Sequence, residues 1–199
     1  MNWRLASRLS VIILVVLVVA LVLLLGTRTN SPNLQGTDLG STPAPDFHLT
    51  DQSDVPIALS QFKGKPVVLT FLYTHCRDVC PLVAQKLHTV MQNLGSDAQR
   101  VGVLAVSTDP KGDTPQAAVN FSKIHGMQNY WHYLIGTHNA LAPVWSAYNV
   151  DAEPADSSGS VTHTSAIYVI DKQGRERVFF GDDFTPDQLT ADLKILLGE

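Results

Sequence analysis

The chain has only two cysteines in 199 residues, and it has no cluster of basic residues. A closed structural zinc site needs four ligands, so this cysteine count argues against one. A formal net charge of −4 without a basic patch argues against nucleic acid as the partner. The chain also shows no internal repeat. What remains is an ordinary globular composition with one unusual pair of thiols.

The most apolar part of the chain is its N-terminal segment. Residues 9–26 are apolar except for Ser10, and at the helical rise they span about 27 Å, just enough to cross a bilayer. No Ala-x-Ala cleavage site follows, which favours an uncleaved anchor over a cleaved signal peptide. Arg4 and Arg8 precede the span and favour a cytoplasmic N-terminus. We therefore expect a short cytoplasmic segment over residues 1–8 and a single transmembrane helix over residues 9–26.

The rest of the chain is then expected on the extracytoplasmic side of a bacterial cell membrane. Residues 27–45 are rich in Thr, Ser, Asn, Gly and Pro, which is typical of a flexible linker. Residues 46–199 have the length of one domain with its own core.

Strand and helix patterns alternate along this domain. Residues 65–73 form a continuous apolar and β-branched run, typical of a strand buried on both faces, and residues 82–94 repeat apolar side chains at helical spacing. The later patterns predict a strand over 101–107, a helix from Pro115, a short apolar segment over 131–135, a short helix over 141–148, hairpin strands over 165–170 and 177–180, and a closing helix over 186–197 capped by Thr185. A further strand is expected over 55–60. This order predicts an α/β, thioredoxin-like fold with a central mixed β-sheet flanked by helices.

Cys76 and Cys80 lie four residues apart, between the first core strand and its helix. A disulfide that closes so short a loop removes little entropy from the unfolded chain, so stabilisation is a poor reason for the pair. Two thiols that face one point can instead cycle between dithiol and disulfide, or bind a soft metal ion as thiolates. Cys80 lies at a predicted helix N-terminus, which favours the thiolate. Arg77 reinforces that effect and Asp78 opposes it, so the sequence leaves the net sign open.

Two thiolates suit Cu(I) and leave room for a third ligand, commonly an imidazole. His163 is the best placed of the seven histidines, because its strand is expected to run antiparallel beside the strand that precedes the cysteines. A surface histidine at a strand entry is the equal alternative at this point. His75 is expected to tune the site or pack against it rather than to ligate. Asp109 and Asp113 most simply form a turn and cap a helix near the rim of the site.

Taken together, these features resemble the Sco/SenC family of copper proteins, which assist the assembly of cytochrome c oxidase. The resemblance covers nearly everything from Ala44 onward, and its pieces are residues 44–47, 62–65, 73–81, 109–115, 161–163 and 167–171. It implies a membrane-tethered thioredoxin-like domain that binds one copper ion through Cys76, Cys80 and His163. Arg77 departs from the family pattern, which usually has proline at that position.

The resemblance further implies a metallochaperone, rather than an enzyme, for the binuclear copper centre of cytochrome c oxidase. The expected partner is oxidase subunit II, the expected cargo is Cu(I) with Cu(II) as a second state, and His75, Asp78, Asp109 and Asp113 are expected to surround the ligands. The alternative is a thiol-disulfide oxidoreductase that carries no metal and uses a redox-active disulfide between Cys76 and Cys80 to reduce a partner's cysteines. Other copper chaperones or thiol-disulfide proteins are further expected partners. Peroxidase activity, suggested by Thr74 before Cys76, is a weaker option.

Overall fold

The computed structural model describes residues 13–19, 34–152 and 166–199. The chain divides into two compact units, Met1–Asn33 and Leu34–Glu199. In the first unit, residues 13–19 are helical (α1). Among the described residues there is no helix of the length and apolarity needed to cross a membrane. The cytoplasmic segment predicted over 1–8 and most of the anchor predicted over 9–26 lie outside the described residues.

The second unit is built on one mixed sheet of eight strands within the described residues, in the order β1-β8-β7-β4-β5-β6-β2-β3. The strands are β1 (Thr37–Pro43), β2 (His48–Asp51), β3 (Pro56–Ala58), β4 (Val67–Leu72), β5 (Gly102–Ser107), β6 (His132–Ile135), β7 (Ile167–Ile170) and β8 (Arg175–Phe180). β4, β5 and β6 run parallel to one another, and the other pairs are antiparallel. The predicted central mixed sheet is confirmed.

Within the described part of this unit, four helices pack against the sheet: α2 (Val79–Leu94), α3 (Pro115–Ile124), α4 (His138–Ala147) and α5 (Pro186–Gly198). Their ends follow local sequence signals. Thr114 caps α3 and Pro115 occupies its first turn. Thr185 caps α5 as predicted, in a reciprocal arrangement with the side chain of Gln188. Short 3-10 turns cover Leu59–Phe62 and Gly95–Arg100.

The strand β4 divides the interior into two cores because its side chains alternate between the two faces of the sheet. Val68 and Leu72 pack with the buried faces of α2, α3 and α5. Leu69 and Phe71 pack on the opposite face with the residues of α4. Every residue of β4 and β5 is buried, so the loops that leave their carboxyl ends start from rigid positions.

The folded unit begins earlier than composition indicates. Its first residue is Leu34, and β1 lies inside the stretch predicted as a flexible linker over 27–45. β1 forms an antiparallel pair with β8 at the edge of the sheet, and the backbone N–H of Gln35 donates to the buried Asp192 carboxylate at 2.8 Å. The prediction missed this strand because most of its side chains are exposed, so it carries no apolar alternation.

Candidate functional site: a pair of unequal thiols

The two cysteines lie where the sequence predicts, at the junction of β4 and α2. β4 ends at Leu72, a short loop carries Cys76, and Cys80 is the second residue of α2. Cys80 is fully buried in the core under α2, whereas Cys76 is half-buried at the mouth of the site. The two cysteines do not form a disulfide with each other, so the structure shows the reduced form of the pair.

The sulfur of Cys76 occupies the acceptor position at the start of α2. Asp78 is the residue before the helix, but its side chain caps no N–H group. The backbone N–H of Cys80 instead donates to Cys76 Sγ at 3.4 Å. A hydrogen bond from the Cys80 thiol, together with the backbone N–H groups of Cys80 and Asp78, lowers the pKa of Cys76 from 9.0 to about 5. Cys76 is therefore a thiolate at neutral pH.

Cys80 has the opposite character. Its hydrogen bond to Cys76 and its burial raise the pKa of the Cys80 thiol far above its usual range, and the nearby Asp113 carboxylate adds to this effect. The pair thus divides into an accessible thiolate and a buried protonated thiol. The expectation that the helix N-terminus favours a thiolate at Cys80 is therefore wrong. The N–H groups at the start of α2 and the partner thiol act on the sulfur of Cys76 instead, and the side chains of Arg77 and Asp78 are exposed.

Asp113 is the structural centre of the loops around the cysteines. Its Oδ1 accepts the backbone N–H of Thr74 at 2.8 Å and the Thr74 hydroxyl at 2.7 Å. Its Oδ2 accepts the hydroxyls of Ser107 at 2.6 Å and Tyr133 at 3.1 Å. The predicted role of Asp113 as a helix cap is wrong, because Thr114 makes that bond. Burial raises the pKa of the Asp113 carboxyl, while these hydrogen bonds oppose that increase.

Asp109 forms the turn that the sequence predicts. Its Oδ1 accepts the backbone N–H groups of Lys111 at 3.2 Å and Gly112 at 2.9 Å. A Cβ atom placed on Gly112 would contact both the Asp109 carboxylate and His75 Nδ1, so the turn needs glycine at this point. The loop after β5 thereby closes against the loop that carries Cys76.

His75, Asp109 and Asp113 come together beside the cysteines. One ligand-type atom from each of these residues lies within 4.8 Å of the others. The Asp113 oxygens already accept four hydrogen bonds, so they are poorly placed to bind an ion as well. His75 Nδ1 lies 3.2 Å from the Thr74 hydroxyl. The cluster therefore supports the cysteine loop and is not a separate cation site.

The third predicted ligand, His163, lies outside the described residues. The strand pairing from which it was placed is observed, since β7 is antiparallel to β4 with Thr70 opposite Ile167. The start of β7 is thus at the same edge of the sheet as the end of β4. Ala166, the described residue just before β7, is buried at this edge.

Sequence reasoning missed Tyr133 and Ser107 as parts of the site. Tyr133 is fully buried in the short segment predicted only as apolar. A buried tyrosine hydroxyl usually needs a partner, and Asp113 is the acidic residue in reach. The need of a buried tyrosine hydroxyl for a hydrogen-bond partner was therefore the available sequence signal. Only the packing of β6 beside β5 shows that Asp113 is the acceptor.

The fold and the thiol pair define a thioredoxin-like protein with two cysteines at a helix N-terminus, one of them activated. Residues 36–198 match the SCO1/SenC family model. The chain belongs to the SCO1/SenC family.

Known relatives agree with this assignment. Copper-bound ScoI of Bradyrhizobium japonicum is 33% identical with a TM-score of 0.70, and the match covers 78% of this chain and 100% of that one. Apo Sco1 of Thermus thermophilus is 31% identical with a TM-score of 0.72, covering 84% and 99%. Human mitochondrial protein SCO2 homolog is 25% identical over 158 residues, which are 75% of this chain and 58% of the human protein. The chain thus spans little more than half the length of that relative.

Proposed function

We propose that this protein is a copper metallochaperone that binds one copper ion through Cys76, Cys80 and His163. The observation that carries the proposal is the accessible Cys76 thiolate held against the buried Cys80 thiol at the start of α2. The family and its copper-bound member from Bradyrhizobium japonicum support the choice of metal.

The two thiols suit a soft, monovalent copper ion. Cys76 is half-buried and already ionised at neutral pH, so it can make the first bond to incoming Cu(I). Cys80 lies one helical turn further in and must release its proton to become the second ligand. Asp113 and Asp109 keep the two surrounding loops in place during this exchange, through the hydrogen bonds to Thr74 and Gly112.

His163 is proposed as the third ligand because of where the described chain resumes. It lies three residues before Ala166, and three residues of extended chain span at most about 10 Å. Ala166 leads into β7 beside β4, from whose end the cysteine loop departs. A neutral imidazole is a ligand that would complete a three-ligand site with the two thiolates.

Delivery to the binuclear copper centre of cytochrome c oxidase subunit II is proposed as the biological role. The apolar run over residues 9–26 supports a membrane anchor, with the folded unit on the extracytoplasmic side. Thiolate and imidazole ligands allow copper to move to a recipient by stepwise exchange, because each bond can be replaced while the others hold the ion.

Anaerobic titration of the reduced full chain with Cu(I), against a competing chelator, tests the proposal. We expect one tight equivalent in the wild type, loss of tight binding in Cys76→Ser and Cys80→Ser, and binding at least about tenfold weaker in His163→Ala. His48→Ala is the matched control, since His48 is exposed on β2, at the far side of the sheet. Equal affinity in the His163 and His48 variants would remove His163 from the site, and failure of the wild type to retain copper would refute the proposal.

The unequal thiols also favour a second candidate, a thiol-disulfide oxidoreductase. The Cys76 thiolate would attack one sulfur of a partner disulfide, form a mixed disulfide and release the other partner sulfur as a thiolate. Cys80, after losing its proton, would then attack Cys76 Sγ, which leaves an intramolecular disulfide and a fully reduced partner. The test measures the reduction of a disulfide-bonded peptide. A rate that is unchanged in His163→Ala and under copper chelation supports this function. A rate that both changes abolish excludes a metal-free mechanism.

A further inference from the structure

Tyr73 is the residue directly after β4, at the start of the loop that carries Cys76. It is buried, and it packs in the core cluster that also contains Cys80. Its carbonyl accepts the backbone N–H of Cys76 at 3.3 Å, which closes a tight turn over residues 73–76. A buried tyrosine is thus fixed at the point where the strand meets the two thiols.

Tyr73 contacts both sulfur atoms. Its backbone N–H donates to Cys80 Sγ. Its side-chain hydroxyl donates to Cys76 Sγ, which also accepts the backbone N–H of Cys80 at 3.4 Å. The sulfur of Cys76 is therefore bound from two sides, by the start of α2 and by the residue that ends β4. Unlike the backbone donors, the hydroxyl is a group that a single substitution removes.

The hydroxyl of Tyr73 acts differently on the two oxidation states of the pair. In the reduced form, the sulfur of Cys76 is a thiolate, and a hydrogen bond to an anion is about twice as strong as one between neutral groups. In a disulfide the same sulfur is neutral and is a weak acceptor. The hydrogen bond from Tyr73 therefore stabilises the reduced form more than the oxidised form.

We propose that Tyr73 is a positioning residue whose hydroxyl holds the Cys76 sulfur in place and opposes the oxidation of the pair by a disulfide oxidant. In that oxidation, the Cys76 thiolate attacks one sulfur of the oxidant and releases the other as a thiolate. Cys80, after losing its proton, then attacks Cys76 Sγ and releases the second sulfur of the oxidant. Two electrons pass from the pair to the oxidant, and an intramolecular disulfide remains.

This role deepens the proposed function and rests on it in one respect, because only the reduced pair offers two thiolates to Cu(I). The folded unit is proposed to lie on the extracytoplasmic side of the membrane, where disulfides form and persist. A tyrosine that disfavours the disulfide keeps the pair ready to bind copper there. For the alternative oxidoreductase, the same hydrogen bond makes the pair a weaker reductant.

Equilibration of the metal-free full chain with glutathione and glutathione disulfide at neutral pH tests the proposal. Tyr73→Phe removes the hydroxyl and keeps the ring. We expect the equilibrium constant for oxidation to be at least about tenfold higher in this variant, which corresponds to a reduction potential lower by about 30 mV. The test contains no copper, so a failure of this proposal and a failure of copper binding are read from separate experiments.

Tyr168→Phe is the matched control. Tyr168 is also buried, and its hydroxyl donates to the Tyr148 carbonyl in the core on the opposite face of the sheet. Denaturant unfolding of both variants measures how much stability each hydroxyl supplies, but only Tyr73→Phe should shift the oxidation equilibrium. Equal constants in Tyr73→Phe and the wild type, or equal shifts in both variants, overturn the proposal.

A measurement on the wild type covers the case in which Tyr73→Phe does not fold. The chain is labelled with tyrosine that carries ¹³C at Cζ, the ring carbon bound to the hydroxyl, whose NMR signal reports the hydrogen bond. When glutathione disulfide oxidises the pair, the Tyr73 signal should move towards the value of a more weakly bonded hydroxyl, while the Tyr168 signal stays in place. A Tyr73 signal that stays in place or moves in the opposite direction overturns the proposal.

Discussion

The Asp113 carboxylate binds Thr74 twice, through the backbone N–H at 2.8 Å and the hydroxyl at 2.7 Å. Thr74 is two residues before Cys76, so this pair ties the cysteine loop to the start of α3. The other oxygen of Asp113 binds Ser107 on β5 and Tyr133 on β6. One buried side chain thus connects the cysteine loop with two strands of the sheet.

Replacing Asp113 by Asn should loosen this connection. The amide nitrogen of Asn replaces one of the two carboxylate oxygens and cannot accept hydrogen bonds, so the buried donors that bind this oxygen lose their acceptor. We therefore expect a loss of about 1 to 3 kcal/mol in the free energy of unfolding. If the loop geometry sets the copper site, Cu(I) affinity should fall at least about tenfold as well. Denaturant unfolding and chelator competition on the same samples measure the two effects.

Asp192→Asn is the matched control for that change. Asp192 is also buried, but it binds the backbone N–H of Gln35 and lies on α5. The Asp192→Asn variant should be less stable than the wild type, while its Cu(I) affinity stays at the wild-type value. Equal losses of Cu(I) affinity in both variants would mean that Asp113 acts only through general stability.

The reactivity of Cys76 should follow its lowered pKa. We expect the rate of alkylation by iodoacetamide to be constant across neutral pH and to fall only as the pH drops through about 5, because the thiolate persists down to that value. In Cys80→Ala the profile should move to higher pH, since the hydrogen bond from the Cys80 thiol is the largest cause of the lowered pKa. An alkylation profile centred at the ordinary thiol value in the wild type would show that Cys76 is not activated.

Copper uptake should release about one proton per Cu(I) at neutral pH rather than two. Cys76 is already ionised there, whereas the raised pKa of Cys80 means that its proton leaves only when copper replaces it. Apparent affinity should therefore weaken about tenfold for each unit by which the pH falls, and more steeply once the pH passes below the pKa of Cys76. Proton release in weakly buffered solution measures the number directly. Release of two protons would contradict the assignment of the thiolate to Cys76.

Gly36→Ala tests where the folded unit begins. A Cβ at this position would lie 2.7 Å from the Phe179 carbonyl and 2.9 Å from the Phe180 ring, and it would also contact Val178. We expect a loss of at least about 1 kcal/mol in stability and faster amide exchange along β1. Gly198→Ala is the control, because a Cβ there meets no neighbouring atom. Unchanged exchange along β1 in Gly36→Ala would argue that this strand is not held as described.

Much of the fold could be predicted from local signals in the sequence. The buried runs that form β4 and β5 and the helical spacing after Pro81 gave the correct elements, because a strand buried on both faces must be apolar throughout. Two of the outer strands escaped prediction for the converse reason. β1 and β2 carry polar or exposed side chains at several positions, and only the pairing of β1 with β8 and of β2 with β6 and β3 defines them as strands.

For the site, too, local sequence signals predicted one part and tertiary structure decided the other. Spacing and position alone predicted that Cys76 and Cys80 meet at a helix N-terminus, since both properties depend on neighbours in the chain. The unequal ionisation of the two thiols and the four hydrogen bonds to Asp113 were decided by tertiary structure. The bonds to Asp113 join residues that are distant in sequence, and the ionisation of the thiols depends on how deeply the fold buries each of them. A buried charge or hydroxyl has its properties set by whichever atoms the fold packs against it.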